Sequence, residues 1–147
     1  MKINESYSNL WKKEFYKSDV VSYDLKWFNK FNKNVKHYEF LNIVKKYLDT
    51  NMSWLDSPVG SGRFMREVNC INKFGFDYSH EFLDFIKNYG IKPIHGDINN
   101  YKFDANYDFV TCFNMLFAFS NPLDIISNLS NACKDNGYLI FDLNNDD

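Results

Sequence analysis

Cysteine is scarce in this chain and poorly spaced for either of its collective uses. Cys70, Cys112 and Cys133 are odd in number and far apart. No C-x-x-C pair offers a metal site and no even set offers a disulfide framework, so reduced thiols are expected. Long apolar runs are also missing. No stretch approaches the ~20 residues that cross a bilayer, and no basic-then-apolar leader opens the chain. The expectation is a cytoplasmic protein without a membrane partner. Charge of one sign is lacking as well: 17 Lys and Arg stand against 19 Asp and Glu, a formal net charge of −2. Nucleic acid is given no electrostatic handle by that balance. The basic pairs Lys12-Lys13 and Lys45-Lys46 lie beside acids on helical patterns and read as solvated faces. No internal repeat or linker divides the chain, and no cluster of metal ligands is visible.

Apolar and aromatic residues are plentiful, at 45% and 19%, which marks a globular chain rather than a disordered one. With 147 residues it suits one domain around a single core. Within that domain, residues 1–50 read as a helical cap and residues 51–147 as an α/β core. In the cap, Tyr7, Leu10, Trp11 and Phe15 share one helical face. Tyr38, Leu41, Val44 and Leu48 repeat the pattern, broadened by Phe40, Ile43 and Tyr47. Asp49-Thr50-Asn51 ends that helix.

The densest signal follows. Trp54, Leu55 and Asp56 form an apolar run entering an acid, and Ser57-Pro58-Val59-Gly60-Ser61-Gly62 is a turn with two glycines one residue apart. Residues 63–68 then open a helix. Strand, glycine turn and helix bring bare backbone N–H groups and a positive helix end against a ligand. Glycine suits such a turn because a Cβ would block the ligand and because φ above zero is tolerated there. Three further apolar stretches follow. The stretch at 74–78 ends in Asp77 and Tyr78, the one at 92–98 ends in Asp97 and Ile98, and the one at 107–113 is rich in β-branched and aromatic residues. Helical patterns separate them. Ser79 is placed to cap a helix through Phe82, Phe85, Ile86 and Tyr89 that Gly90 stops. Pro122 is placed to open another, with Ile126, Leu129 and Cys133 turned inward. Asn136-Gly137 would end it and begin a fifth strand. Alternating strands and helices imply a parallel sheet with ligands at its carboxyl edge.

In this order and spacing the pieces resemble a class I S-adenosylmethionine-dependent methyltransferase of the small-molecule group, whose first motif reads Leu-Asp-x-Pro-x-Gly-Ser/Thr-Gly-Arg. The likeness runs from about residue 54 to 143 and closes on Gly137-Tyr138-Leu139-Ile140-Phe141-Asp142. A dinucleotide fingerprint fits less well, because Met65 stands where its third glycine belongs. The resemblance implies a Rossmann-like, mostly parallel sheet of order 3-2-1-4-5 with amino-terminal helices, and S-adenosyl-L-methionine as cofactor. It gives Asp56, Ser57, Pro58, Gly60 and Gly62 to the methionine portion and Asp77 to the ribose hydroxyls. Tyr78 falls to one face of the adenine, and Asp97 with the Ile98 backbone to its edge. Phe113 and Asn114 would lie at the methionyl end, facing a small-molecule acceptor. No metal is implied. The amino-terminal region would cap the pocket, with Tyr7, Trp11 and Tyr23 as lid candidates.

Two departures from the family pattern stand out. Pro58 and Val59 occupy positions where many members have Gly and Cys, and Pro58 removes one N–H from the loop. The stretch between Gly62 and Asp77 leaves room only for a stubby first helix. His37, His80 and His95 are the natural candidates for a general base, since histidine as a residue type ionises near neutral pH. His80 reads as solvent-facing and His95 as structural, so no general base is assigned. The chain stops after its fifth strand, and the expectation is a homodimer through that exposed edge. Two functions stay open: methyl transfer to a small molecule, or a non-catalytic module that binds the cofactor or a protein partner.

Overall fold

The computed structural model describes Ser22 and residues 35–143. The expectations for Tyr7, Leu10, Trp11, Phe15 and Tyr23 therefore lie outside the described residues. Ten elements follow one another: α1 (Val35–Tyr47), β1 (Ser53–Asp56), α2 (Arg63–Arg66), β2 (Asn72–Asp77), α3 (His80–Lys87), β3 (Lys92–His95), β4 (Tyr107–Cys112), a 3-10 turn (Leu116–Ala118), α4 (Pro122–Ala132) and β5 (Cys133–Phe141). The strands form one sheet in the order β3-β2-β1-β4-β5, and every pairing is parallel.

Strand alternation splits the core into two layers. Trp54 and Phe109 point to one face, where they meet Phe40, Leu41 and Val44 of α1, Met65 of α2 and Leu83 and Ile86 of α3. Leu55, Phe76, Val110 and Cys112 point to the other, against Leu116 and Ile125, Leu129 and Ala132 of α4. Both faces of the central strands are thus covered, which is why β1 and β4 read as apolar runs rather than as alternating ones. At the amino ends, Asp108 pins three strands. Its carboxylate accepts from the Ser53 backbone and hydroxyl at 2.8 Å and from Lys134 at 2.7 Å. These contacts, the Lys134 ammonium first, hold its carboxyl down at about pKa 2.

Local signals place the helices that frame the site. Ser79 caps α3, its hydroxyl accepting from the Phe82 N–H at 3.3 Å, and Gly90 follows the helix with φ +69°. The short span before β2 leaves α2 four residues long, the stubby helix expected. Two boundaries differ from expectation. Helix α4 ends at Ala132, because Cys133 pairs with Tyr107 and already belongs to β5. Its buried face is accordingly Ile125, Leu129 and Ala132 rather than Ile126, Leu129 and Cys133. The irregularity falls later: the register shifts between Tyr107 and Phe109, and Asn136 takes φ +61° just before Gly137. In α1, His37, Phe40, Leu41 and Val44 are buried, while Tyr38 stays exposed. Among the described residues, no helix is long and apolar enough to cross a membrane.

Candidate functional site

The strand order reverses between β1 and β4, and the carboxyl ends there form the crevice in which doubly wound sheets hold ligands. Residues 57–62 fill the turn above β1. The Ser57 N–H donates to the Thr111 carbonyl at 3.0 Å, and the Val59 N–H to the Phe76 carbonyl at 2.8 Å. The turn is therefore tied to strands on both sides of β1, and the Ser57-Pro58 peptide within it is cis.

Asp77 is the post on which the turn rests. It is buried at the end of β2. Its Oδ2 accepts from the Gly60 N–H at 2.9 Å, and its Oδ1 from the Ser79 N–H at 3.0 Å. Burial raises its pKa, while the N–H groups of Ser79, Gly60 and Tyr78 and the nearby His95 oppose the rise. A carboxylate has about four lone-pair directions, so these N–H groups leave capacity for a ligand hydroxyl.

Asp56 lies beside it on β1. The Thr111 hydroxyl donates to Asp56 Oδ1 at 2.6 Å and itself accepts from the Trp54 indole N–H at 2.9 Å. Asp56 and Thr111 are register partners in the β1–β4 pairing, which puts both side chains on one face. Burial lifts the Asp56 carboxyl to a pKa of about 7; the Thr111 and Ser57 bonds pull against this, and the Asp77 charge adds to it.

The glycines divide the labour. Gly60, at φ +53°, has no heavy atom of the described residues within 4 Å of where a Cβ would stand, so the turn is open there among them. Gly62, at φ +68°, faces the protein instead, and a Cβ would come within 2.8 Å of Ile91 Cδ1 and 3.2 Å of Ile86 Cγ2. Ser57 is 1% exposed, yet its hydroxyl has no hydrogen-bond partner among the described residues. A buried orphan hydroxyl beside an open glycine is what a cradle for a polar ligand presents.

The remaining expected residues lie on the rim or in the wall. Tyr78 is exposed, and its carbonyl lies 3.1 Å from His95 Nε2. His95 is exposed at the end of β3 and stacks on His80 at 4.0 Å. Asp97 is exposed, whereas the Ile98 side chain is buried in the core. Phe113 is packed into the wall, parallel to Phe40 at 4.3 Å and edge-on to Phe64 at 5.2 Å. Asn114 is exposed at φ +60°, its N–H donating to Asp142 Oδ1 at 2.6 Å. His37 is buried, 3.0 Å from Glu67 and stacked on Phe64 at 4.9 Å. Sequence reasoning missed Thr111 and the Trp54 indole. The signal was a lone hydroxyl in an otherwise apolar strand, which becomes readable only once the register sets it opposite Asp56.

This sheet and turn define a class I S-adenosylmethionine-dependent methyltransferase fold. The chain belongs to the methyltransferase-domain family, which it matches over residues 55–141. Among solved structures it is similar to a SAM-dependent methyltransferase from Thermotoga maritima, at 22% identity and a TM-score of 0.66, over 82% of this chain and 56% of that one. A second is a SAM-dependent methyltransferase from Thiobacillus denitrificans in complex with S-adenosyl-L-homocysteine, at 21% identity and 0.58, over 74% and 47%. A third is the complex of the Haloferax volcanii Trm112 methyltransferase activator with a methyltransferase, at 17% and 0.63, over 84% and 59%. The chain spans roughly half the length of these structures. No curated protein matches it.

Proposed function

We propose that the chain binds S-adenosyl-L-methionine at the carboxyl ends of β1, β2 and β4 and supports methyl transfer to a small-molecule acceptor. The observation that carries this is the glycine turn itself. Its backbone is braced by Asp77, and among the described residues its Gly60 position is open and the buried Ser57 hydroxyl beside it is unpaired. When bound, the cofactor supplies an activated sulfonium methyl group for in-line displacement.

The chain's own residues then position and shield. Asp56, Ser57, Pro58, Gly60 and Gly62 cradle the methionine portion, Gly62 through its backbone. Asp77 accepts from the ribose hydroxyls. Tyr78 covers one face of the base, and Asp97 with the Ile98 backbone reads its edge. Phe113 forms the hydrophobic wall near the methyl group, and Asn114 faces the acceptor. Positioning and water exclusion are the sources of rate in such a site. The reading extends to a cytoplasmic protein acting on neither nucleic acid nor membrane.

Calorimetric titration of the purified chain with S-adenosylmethionine and S-adenosylhomocysteine tests the proposal; saturable binding of both is expected, and no heat from either sinks it. The second reading is a module that binds the cofactor or a protein partner without turnover. Binding without methyl transfer to any acceptor would select it.

A further inference from the structure

The turn after β3 is organised locally but anchored from far away. Asp97 Oδ1 accepts from the backbone N–H and the side-chain amide of Asn99, at 3.0 and 2.7 Å. The Asp97 carbonyl accepts from the N–H groups of Asn100 and Tyr101. Both side-chain bonds fall on Oδ1, so Oδ2 takes no part in them. The anchor comes from α4, where Asn128 Nδ2 donates to the Ile98 carbonyl at 2.9 Å and to the Tyr101 carbonyl at 2.7 Å. One amide group thus uses both hydrogens on two carbonyls of the same turn. Its orientation is set by those partners, since a side-chain oxygen placed there would face two acceptors.

Apolar packing fixes how deep the turn lies. The Ile98 side chain is in the core, the Tyr101 ring meets Phe76 edge-on at 4.8 Å, and a Cβ on Gly96 would come within 2.4 Å of the Tyr101 ring. Such contacts are non-directional. Among the described residues, the directional restraint that reaches the peptide groups of residues 97–101 from another element is the Asn128 amide.

We infer that Asn128 is a positioning residue for base recognition, clamping residues 97–101 so that the Asp97 carboxylate and the Ile98 backbone select a 6-aminopurine over a 6-oxopurine. The inference rests on the proposed reading of Asp97 and Ile98 as the base-edge subsite. A 6-amino group donates to a carboxylate while the neighbouring ring nitrogen accepts from a backbone N–H. A 6-oxopurine presents the reverse pattern, an acceptor and a ring N–H. Rejecting it requires the two protein groups to stay fixed, because a turn free to shift could relieve the mismatch.

The test compares S-adenosylhomocysteine with S-inosylhomocysteine, titrated calorimetrically into the wild-type chain, Asn128→Ala and Asn128→Ser, with melting temperature recorded for each. The wild type is expected to prefer the adenosyl ligand by about tenfold or more, the worth of one to two net hydrogen bonds. In Asn128→Ala that preference should collapse toward parity through weaker adenosyl binding, with inosyl binding little changed. Asn128→Ser, keeping one donor, should fall between, and it decides the matter if the alanine variant does not fold. An unchanged preference overturns the inference, whether both affinities persist or fall together with stability. A wild type that binds both ligands equally removes the inference alone. One that binds neither removes the cofactor reading on which it stands.

Discussion

Asp56 and Asp77 are two buried carboxyl groups on neighbouring strands, and none of the ion pairs among the described residues involves either. Burial raises both, Asp56 from 3.8 to about 7. A raised carboxyl pKa means that the folded chain keeps a proton the unfolded chain has released. Stability therefore falls as pH rises through the window between those two values, and levels off above it. For Asp56 alone the full span is worth roughly 4 kcal/mol. Asp56→Asn should remove much of that slope, so urea unfolding at about pH 5 and about pH 7.5 should differ less in the variant than in the wild type. An equal difference in both would refute the assignment. Asp77→Ala has two consequences, because the same carboxylate braces the Gly60 and Ser79 N–H groups. Cofactor affinity should drop by about ten- to a hundredfold through the lost ribose bonds. The unpaired backbone donors should also cost about 1–3 kcal/mol of stability each. Unchanged S-adenosylhomocysteine affinity in a folded variant would show that Asp77 serves the turn alone.

The turn between β1 and α2 is the element whose two glycines separate binding from folding. A valine at Gly60 enters space that is open among the described residues, at a backbone cost of about 1–3 kcal/mol for holding a positive φ. Gly60→Val should melt cooperatively yet lose measurable S-adenosylhomocysteine binding. Alanine at Gly62 pushes into Ile91 and Ile86 while holding φ +68°, so Gly62→Ala should lower stability by about 1–3 kcal/mol. Thermal melts and titrations on the pair provide the check. A Gly60→Val that binds normally would make the turn structural only, and a fully stable Gly62→Ala would contradict the packing. Helix α4 shows how an element's face is decided from outside it. Positions 125, 129 and 132 and positions 126, 129 and 133 both satisfy helical spacing. Pairing of Cys133 with Tyr107 selects the first set.

On the scale of the whole molecule, the sheet has two flanks, β3 and β5, each paired on one side only among the described residues. At β3 the edge carries Pro93, which lacks the N–H that a further strand would need. At β5, Tyr138 remains 41% exposed and touches Tyr47 at 5.3 Å. A flank without such protection is a template for another strand. We propose that β5 as described can pair with a second copy, and self-association at high concentration is the outcome that tests it. Sedimentation across a concentration series should show the mass rising. A strict monomer throughout means that this edge is covered.

The strand order was implied by the family resemblance; the parallel pairing, the Ser79 cap and the short α2 were legible in the residues themselves. Each of these last three rests on relations between near neighbours: apolar runs, a capping hydroxyl three residues before its N–H, and the length between two motifs. That Asp56 and Asp77 end strands and that Gly60 fills the turn after one was legible for the same reason. What only the tertiary structure decided are bonds between residues far apart in the chain. Thr111 reaches Asp56 across 55 residues, Asn128 reaches Ile98 across 30, and His37 reaches Glu67 across 30. Periodicity states which face a residue occupies on its own element. Register and helix docking state what stands opposite, and those follow from packing the whole core at once.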